Sequence, residues 1–566
     1  MRILTNYDTA LMAFGLVASL LILLPMLILA ASTMRFNITI TQKGDSKRTP
    51  TLPYMLPFIF HGVPLICDPA KFITEILMRY GWRRPLRIRV RWLQYIIVAN
   101  PSHIQTIFKS SKQLTSKPAI LHSLKHILKS PAHAVAFYAA DNSGIAASPR
   151  KGSNIKHHNR INFHQAHTVH EFLSGQHLTH IADRYLTILQ RNLSSLFASR
   201  SDDWVEYPDL YQFIQIQATK ASIETIMGSK ILEINPNIID DFWEFDNNVP
   251  QFLKCLPRWM MPAPFKARDR VHDSIKKWHA YAHAHSDCSR ISANDPEWEP
   301  FFGTKMIRAR QNYMLKMKPL DADARASEDL GLMMASNGNA VPCIFWFIYE
   351  ALRHQSLQEQ MVAEVTSCMK SGELDITSLS AQPLLQSVYA EVLRLRIATG
   401  VARVSEFGAF NLDGYHIKEG QPIIIFSRPA ALNEETWARA GKSVSETAPL
   451  DEFYAERFLV SMGDGDQRKN TTSSTSASAE TKYSFSLNGL AGSWIPYGGG
   501  QRMCPGRHLA KGEMIGTFAV LFTQYDIELT APHSPKIESD LKWFPVGALP
   551  PVGKVPFRIR SRPKLD

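Results

Sequence analysis

The segment Tyr497-Gly498-Gly499-Gly500-Gln501-Arg502-Met503-Cys504-Pro505-Gly506-Arg507-His508-Leu509-Ala510 constrains this chain more than any other. It delivers one thiol, from a glycine-rich turn, to the start of a helix. Consecutive glycines let the backbone take φ > 0 and approach a flat ligand closely, and Pro505 stiffens the first turn after the cysteine. Backbone N–H groups from Gly506 onward can then point at the sulfur. A helix N-terminus favours negative charge, so this position is expected to lower the Cys504 pKa and hold a thiolate, a strong metal ligand. A buried cysteine after an ordinary turn is the bland alternative, so other segments must decide.

Upstream, Glu391-Val392-Leu393-Arg394 puts a carboxylate and a guanidinium on one face of an apolar helical stretch, Leu384 to Leu395. At that spacing the two can meet. Farther on come Phe453-Tyr454-Ala455-Glu456-Arg457-Phe458, and between them Gly400-Val401-Ala402-Arg403-Val404 reads as a strand.

Together these segments resemble the cytochrome P450 superfamily. Tyr497, Gly500, Arg502, Cys504 and Gly506 match its haem-binding signature, aromatic-x-x-Gly-x-Arg-x-Cys-x-Gly, with tyrosine where phenylalanine is usual. Glu391 and Arg394 match its Glu-x-x-Arg helix, and the segment around Arg457 its meander motif, with alanine for the usual first proline. The resemblance implies a mainly α fold with small β-sheets and haem b held by the Cys504 thiolate. Tyr497, Gly498, Gly500, Arg502 and Gly506 would shape the haem loop, and Arg403 would bind a haem propionate. Glu391, Arg394 and Arg457 would form a buried charge cluster that fixes that loop. The family's Trp-x-x-x-Arg propionate motif is not evident between Arg150 and His180, where Arg160 or a histidine could substitute.

The central helix departs from the family's pattern. Where Ala/Gly-Gly-x-acid-Thr is usual, this chain has Ala335-Ser336-Asn337-Gly338-Asn339-Ala340-Val341-Pro342, then Cys343-Ile344-Phe345-Trp346. Gly338 stands in the acid's place and Asn339 in the threonine's. Pro342 has no N–H for the Gly338 carbonyl, so the helix expected over Ala335 to Leu352 should kink there. The Asn-x-x-Pro pattern resembles the branch with steroid 7α- and 12α-hydroxylases and prostacyclin synthase, which holds both monooxygenases and an isomerase. Asn339 cannot titrate, so protons would have to pass through water.

An uncharged apolar run from Thr9 to Met34 is long enough to span a bilayer, with Pro25 inside it. Arg35, Lys43, Lys47 and Arg48 follow and outweigh Arg2, which leaves the main domain on the cytosolic side. The resulting expectation is an anchor over 1–34, a proline-bearing hinge over 35–64 and one catalytic domain over 65–566, in an endoplasmic-reticulum arrangement. A Ser/Thr-rich stretch over 461–488 is expected to be a mobile surface insert. Periodicity predicts helices over Ala182 to Phe197, Gln212 to Met227 and Leu357 to Met369, and strands over Leu86 to Val98 and Pro422 to Phe426. The proline-rich Leu256 to Phe265 reads as loop, either dipping into a membrane or packed.

Six cysteines without CxxC spacing indicate neither a disulfide framework nor structural zinc. The histidine series (157, 158, 164, 167, 170, 177 and 279, 283, 285) reads as solvated helix faces. Net charge is +12, and with no nucleic-acid-binding motif that balance suits an anionic membrane or an acidic protein. Arg502, Arg507, His508 and Lys511 near the cysteine would meet an acidic reductase. The expected function is a membrane-anchored monooxygenase oxidising a hydrophobic small molecule, terpenoid or steroid-like, with O2 and electrons from NADPH-cytochrome P450 reductase. The alternatives are an isomerase or dehydratase acting on a preoxidised substrate without O2 or NADPH, and a haem-binding sensor or carrier.

Overall fold

In the computed structural model of the protein, the described residues are 2–41, 47–198, 203–370, 373–442, 448–461, 483–533 and 535–562. They fall into two units, one of residues 1–116, 400–430 and 499–501, the other of 117–399, 431–498 and 502–566.

The smaller unit begins with the helix Arg2–Ile40, which runs past the expected end at Met34 and carries Pro25 inside. Its stretch Leu21–Ile40 is long and apolar enough to cross a membrane. The proline-bearing segment that follows is laid along a strand: Leu52 donates to the Arg87 carbonyl, and the Arg87 N–H to that of Pro50. Leu86 to Val98 forms two strands, Leu86–Val90 and Leu93–Ile97, because Arg91 takes φ 52° and turns the chain. Leu93–Ile97 pairs in parallel with Pro422–Phe426, which pairs antiparallel with Gly400–Ser405 in a five-stranded sheet. Alternation along Gly400–Ser405 buries Val401 and Arg403 together.

The larger unit is helical around a main apolar core, with a second, smaller apolar cluster that includes Leu124, Tyr138, Ile161 and Met314. The helices Gly175–Phe197 and Leu210–Met227 contain the expected periodic stretches, and Gln355–Ser367 covers the third from Leu357 but stops short of Met369, which opens the strand Met369–Lys370. Asp209 accepts from the Tyr211 N–H and Asp321 from that of Ala324, capping the helices Leu210–Met227 and Ala322–Asn337. The helix Arg507–Gln524 packs on Ala340–Arg353, where the rings of Phe518 and Phe347 lie 5.5 Å apart edge to face. Within Leu256 to Phe265 the chain is loop only to Met261. Pro262 then opens the helix Pro262–His285, since a proline costs nothing in a helix's first turn.

Of the 461–488 stretch, residues 462–482 lie outside the described residues. Its two ends meet, because Leu459–Ser461 pairs antiparallel with Tyr483–Phe485.

One histidine reading needs correction. His279 is buried, 2.8 Å from Asp329, and the same carboxylate accepts from Arg310 and Gln311. Apolar neighbours on both flanks draw it inward, and paired charges make that burial tolerable.

Candidate active site

Cys504 is fixed by a short run of backbone bonds. Gly498 turns at φ 68°, the Cys504 N–H donates to the Tyr497 carbonyl at 3.1 Å, and the helix Arg507–Gln524 starts after Gly506. The Tyr497 hydroxyl meets that of Tyr389 at 2.7 Å, and Trp494 donates to the Ala390 carbonyl, so the loop is fastened to the helix Pro383–Arg396. The Gly506 and Arg507 N–H groups donate to the sulfur. The expected lowering of the pKa does not result: enclosure pushes the thiol up, and those two N–H groups and the Arg507 charge only partly oppose it. The residue nonetheless keeps an exposed surface.

In the smaller unit, Gly499 and Gly500 fill a place no side chain could. A Cβ on Gly500, at φ 71°, would lie 2.2 Å from the Phe108 carbonyl oxygen, and one on Gly499 2.2 Å from the Phe108 ring. Arg403 is buried there and donates to the Gly499 carbonyl at 3.3 Å. Arg502 is half-buried at the end of the short turn Gly500–Arg502.

The structure brings Glu391, Arg394 and Arg457 together. Glu391 Oε2 accepts from Arg394 Nε at 2.6 Å and Oε1 from Arg457 Nε at 2.8 Å. The remaining guanidinium N–H groups are not left bare: Arg457 donates to the Ala448, Pro449 and Glu452 carbonyls, and Arg394 to Leu450 and Glu452. A second buried pair, which no motif announced, follows on the same helix. Arg396 donates to Glu350 at 2.7 Å and lies 3.7 Å from the Trp346 ring centroid.

The central helix is interrupted where the kink was expected: its hydrogen-bond ladder lapses at Gly338 and Asn339, while both residues keep right-handed helical dihedrals. Ala322–Asn337 and Ala340–Arg353 are separate helices joined through Gly338 and Asn339, as the missing Pro342 donor dictates. Asn339 Oδ1 accepts from the Ala548 N–H at 2.8 Å. The Gly547–Leu549 strip is further tied by Ala398 N–H to Gly547 O, Leu549 N–H to Arg396 O and Trp346 Nε1–H to Leu549 O, each at 2.8 Å. The side-chain oxygen of Asn339 is therefore engaged in holding a loop.

Two further expectations change. Arg160 is buried with its guanidinium on Ser143 Oγ and the Ala146 and Ala147 carbonyls, so its donors serve the preceding loop. Lys511 is half-buried on Gln386 Oε1, and burial pulls its pKa down to about 8, so it is not a freely solvated docking charge.

The cytochrome P450 family profile matches residues 50–555. The chain is 33% identical over 533 residues to cytochrome P450 monooxygenase fsoE of Humicola fuscoatra, covering 92% of this chain and 88% of that one. This protein belongs to the cytochrome P450 family. It is also 31% identical to cytochrome P450 monooxygenase efuG of Hormonema carpetanum, over 91% of this chain and 90% of that protein. Cholesterol 7-alpha-monooxygenase of Cricetulus griseus is 23% identical, over 70% of this chain and 74% of the relative.

As a P450 it is a haem-thiolate monooxygenase, whose haem carries a cysteine thiolate ligand. The donor set fits that group. Of the six cysteines, Cys288, Cys343 and Cys368 are buried, and Cys67 is the last residue of the helix Gly62–Cys67, while the helix that follows, Pro69–Tyr80, is capped by the Asp68 carboxylate, which accepts from the Lys71 N–H. Cys255 lies in a loop. Only Cys504 is an exposed residue whose sulfur meets N–H donors at a helix start, the arrangement a haem thiolate needs.

Sequence reasoning missed Asp246 altogether. A Cβ on Gly338 would stand 2.8 Å from Asp246 Oδ1, so the missing side chain of the central helix leaves room for a carboxyl from another helix. That pairing joins positions far apart in the chain, and no local pattern marks it.

Proposed function

We propose that this P450 is anchored by its N-terminal helix, with the catalytic domain from residue 65 onward in the cytosol at the endoplasmic reticulum, and that it oxidises a hydrophobic polycyclic substrate of the terpenoid or steroid class. Cys504 is the proposed haem ligand. Arg403 is the proposed propionate partner, and Glu391, Arg394 and Arg457 the proposed scaffold of the cysteine loop. The haem supplies O2 activation, drawing two electrons from a flavoprotein reductase that takes them from NADPH.

The observation that carries the reading is Cys504, an exposed residue whose sulfur receives two backbone N–H groups, in a chain matched to P450 monooxygenases over nearly its whole length. Likeness to a protein named cholesterol 7-alpha-monooxygenase supports a steroid-like substrate, and the names of the relatives support monooxygenation. The isomerase reading drew on the missing acid and alcohol. Its motive weakens once Asp246 stands beside Gly338. Exposed apolar groups on the N-terminal helix, Leu21, Ile22, Leu24, Met26 and Leu27, support the anchor.

The test is mass spectrometry of small-molecule extracts from cells with and without the intact gene. A precursor one oxygen lighter than the lost product is the expected result, together with loss of product when the reductase is withheld. Precursor and product of equal mass, or differing by water, would overturn monooxygenation.

A further inference from the structure

Asp246 closes the helix Ile238–Asp246 and is 2% exposed. Its carboxyl lies against Gly338, where the central helix is broken, and its Oδ2 has no hydrogen-bond partner within the protein. Asn337 Oδ1, at the end of the helix Ala322–Asn337, is a second buried acceptor without a partner. Buried acceptors left bare are costly, and a proton or an ordered water is what satisfies them. Burial alone pushes the Asp246 carboxyl up to about 7. Tyr211, on the helix Leu210–Met227, is the titratable group whose phenol feels this carboxylate, and burial holds that phenol above its ordinary range. No lysine or arginine among the described residues offsets the carboxyl's desolvation.

We propose that Asp246 supplies from a neighbouring helix the proton-transferring acid that Gly338 removes from the central one. The inference rests on the monooxygenase activity. Each turnover takes O2, two electrons from the reductase and two protons. One oxygen atom enters the substrate and the other leaves as water. Asp246 gives up one of those protons from Oδ2 through water at the Gly338–Asn339 break and is reprotonated from solvent. Asn339 holds the adjacent Gly547–Leu549 strip in place. A carboxyl titrating near neutrality is matched to that task, since it both holds and releases a proton at working pH.

The decisive variant is Asp246→Asn in the full chain, loaded with haem and supplied with reductase. Haem content should be unchanged, while product per electron pair falls by about a hundredfold, the low end for a lost proton donor, and hydrogen peroxide is released instead. The wild-type coupling should change with pH around the carboxyl's value of about 7, and that dependence should vanish in the variant. Without turnover, infrared titration of the resting protein should show a carboxylic-acid band lost near that pH and missing from Asp246→Asn. Asp246→Glu, which keeps the acid, should retain most of the coupling. Unchanged coupling in Asp246→Asn, equal loss in the Asn and Glu variants, or a band titrating in the ordinary carboxylate range would each overturn the proposal. None of these results depends on which cysteine binds the haem.

A separate observation carries a second inference. His122 ends the helix Lys117–His122, and a π-helical turn, Ser123–Ile127, brings His126 under it with ring centroids 4.7 Å apart. Cys255, from the loop before Pro262 and at φ 52°, puts its sulfur 3.9 Å from His122 Nε2. The three ligand atoms lie within 4.8 Å of one another. Zinc bonds of about 2.3 Å to sulfur and about 2.0 Å to nitrogen place tetrahedral N and S ligands about 3.6 Å apart, so modest closure suffices. Burial and the nearby Lys125 lower both imidazoles, which keeps them neutral and able to ligate.

We infer that His122, His126 and Cys255 form a three-ligand site for Zn2+ that ties the Cys255 loop, with its exposed Trp259 and Met260, to the π-helical turn. The test is zinc titration of chelator-treated, haem-loaded protein, counting zinc per haem iron. One zinc per chain is expected, with affinity at least about tenfold weaker in Cys255→Ser and in His126→Ala. Absence of stoichiometric zinc, or affinity unchanged in both variants at full haem content, would overturn it.

Discussion

Asn339 Oδ1 accepts the backbone N–H of Ala548 across 2.8 Å, joining the break in the central helix to a loop more than two hundred residues away in sequence. The contact is close enough that a Cβ on Gly547 would lie 2.1 Å from the same oxygen. A position that reads in sequence as a departure from the usual threonine is thus a tether. Asn339→Ala leaves the Ala548 N–H unpaired in the interior and should cost about 1–3 kcal/mol. Gly547→Ala should cost more, because the methyl collides with a held side chain. Thermal unfolding of both variants checks the order.

Removing one member of the Glu391 cluster should be worse than removing a surface pair. Arg457→Met leaves a wholly buried carboxylate with one cation instead of two. The expected loss is about 3–5 kcal/mol, with less haem retained on purification. Denaturant unfolding and the ratio of haem to protein absorbance report the two effects. Arg439→Met, which breaks the exposed pair with Glu435, is the control and should change stability by less than about 1 kcal/mol.

Gly500→Ala should disrupt the haem loop. The substitution meets both a positive φ of 71° and a backbone oxygen 2.2 Å from the new Cβ. Neither can be relieved by a rotamer change. Haem incorporation should fall severalfold, while Gly553→Ala, at φ 92° but with open space around it, should lose only the modest backbone cost.

The motifs around Cys504, Glu391 and Arg457 were legible because each is a local arrangement: a turn before a helix, a pair on one helical face. So were the long helices, whose apolar period is strong over many residues. The interruption at Gly338 was legible too, since Pro342 announces a lost hydrogen bond and hence a kink. Asp246 beside Gly338, Glu350 with Arg396 and Cys255 beside His122 were not legible. Each depends on which helices pack together, and a single chain carries no local sign of that. The Cys504 pKa went the other way from expectation because helix-end donors were weighed without the cost of enclosure.

Stability should depend on pH through Glu513. This carboxyl is buried in the helix Arg507–Gln524, and desolvation raises it from an ordinary 4.5 to about 8. Between those values the folded protein binds more protons than the unfolded chain, so stability is greatest below the lower value and falls as pH rises toward the upper one. Glu513→Gln removes the titration. The variant should match the wild type at low pH and exceed it at high pH by on the order of a few kcal/mol. Unfolding free energies measured across that window decide it, and an identical pH slope in both proteins would contradict the assignment.

The central claim is that Cys504 supplies the thiolate on the haem. The most direct measurement is the absorbance difference spectrum of the reduced, carbon monoxide-treated protein, taken for wild type and Cys504→Ser at equal protein concentration, with circular dichroism to check that both are folded. The account predicts the long-wavelength Soret band of a thiolate-ligated haem in the wild type and its absence in a folded Cys504→Ser. The same band at undiminished intensity in the variant would contradict it.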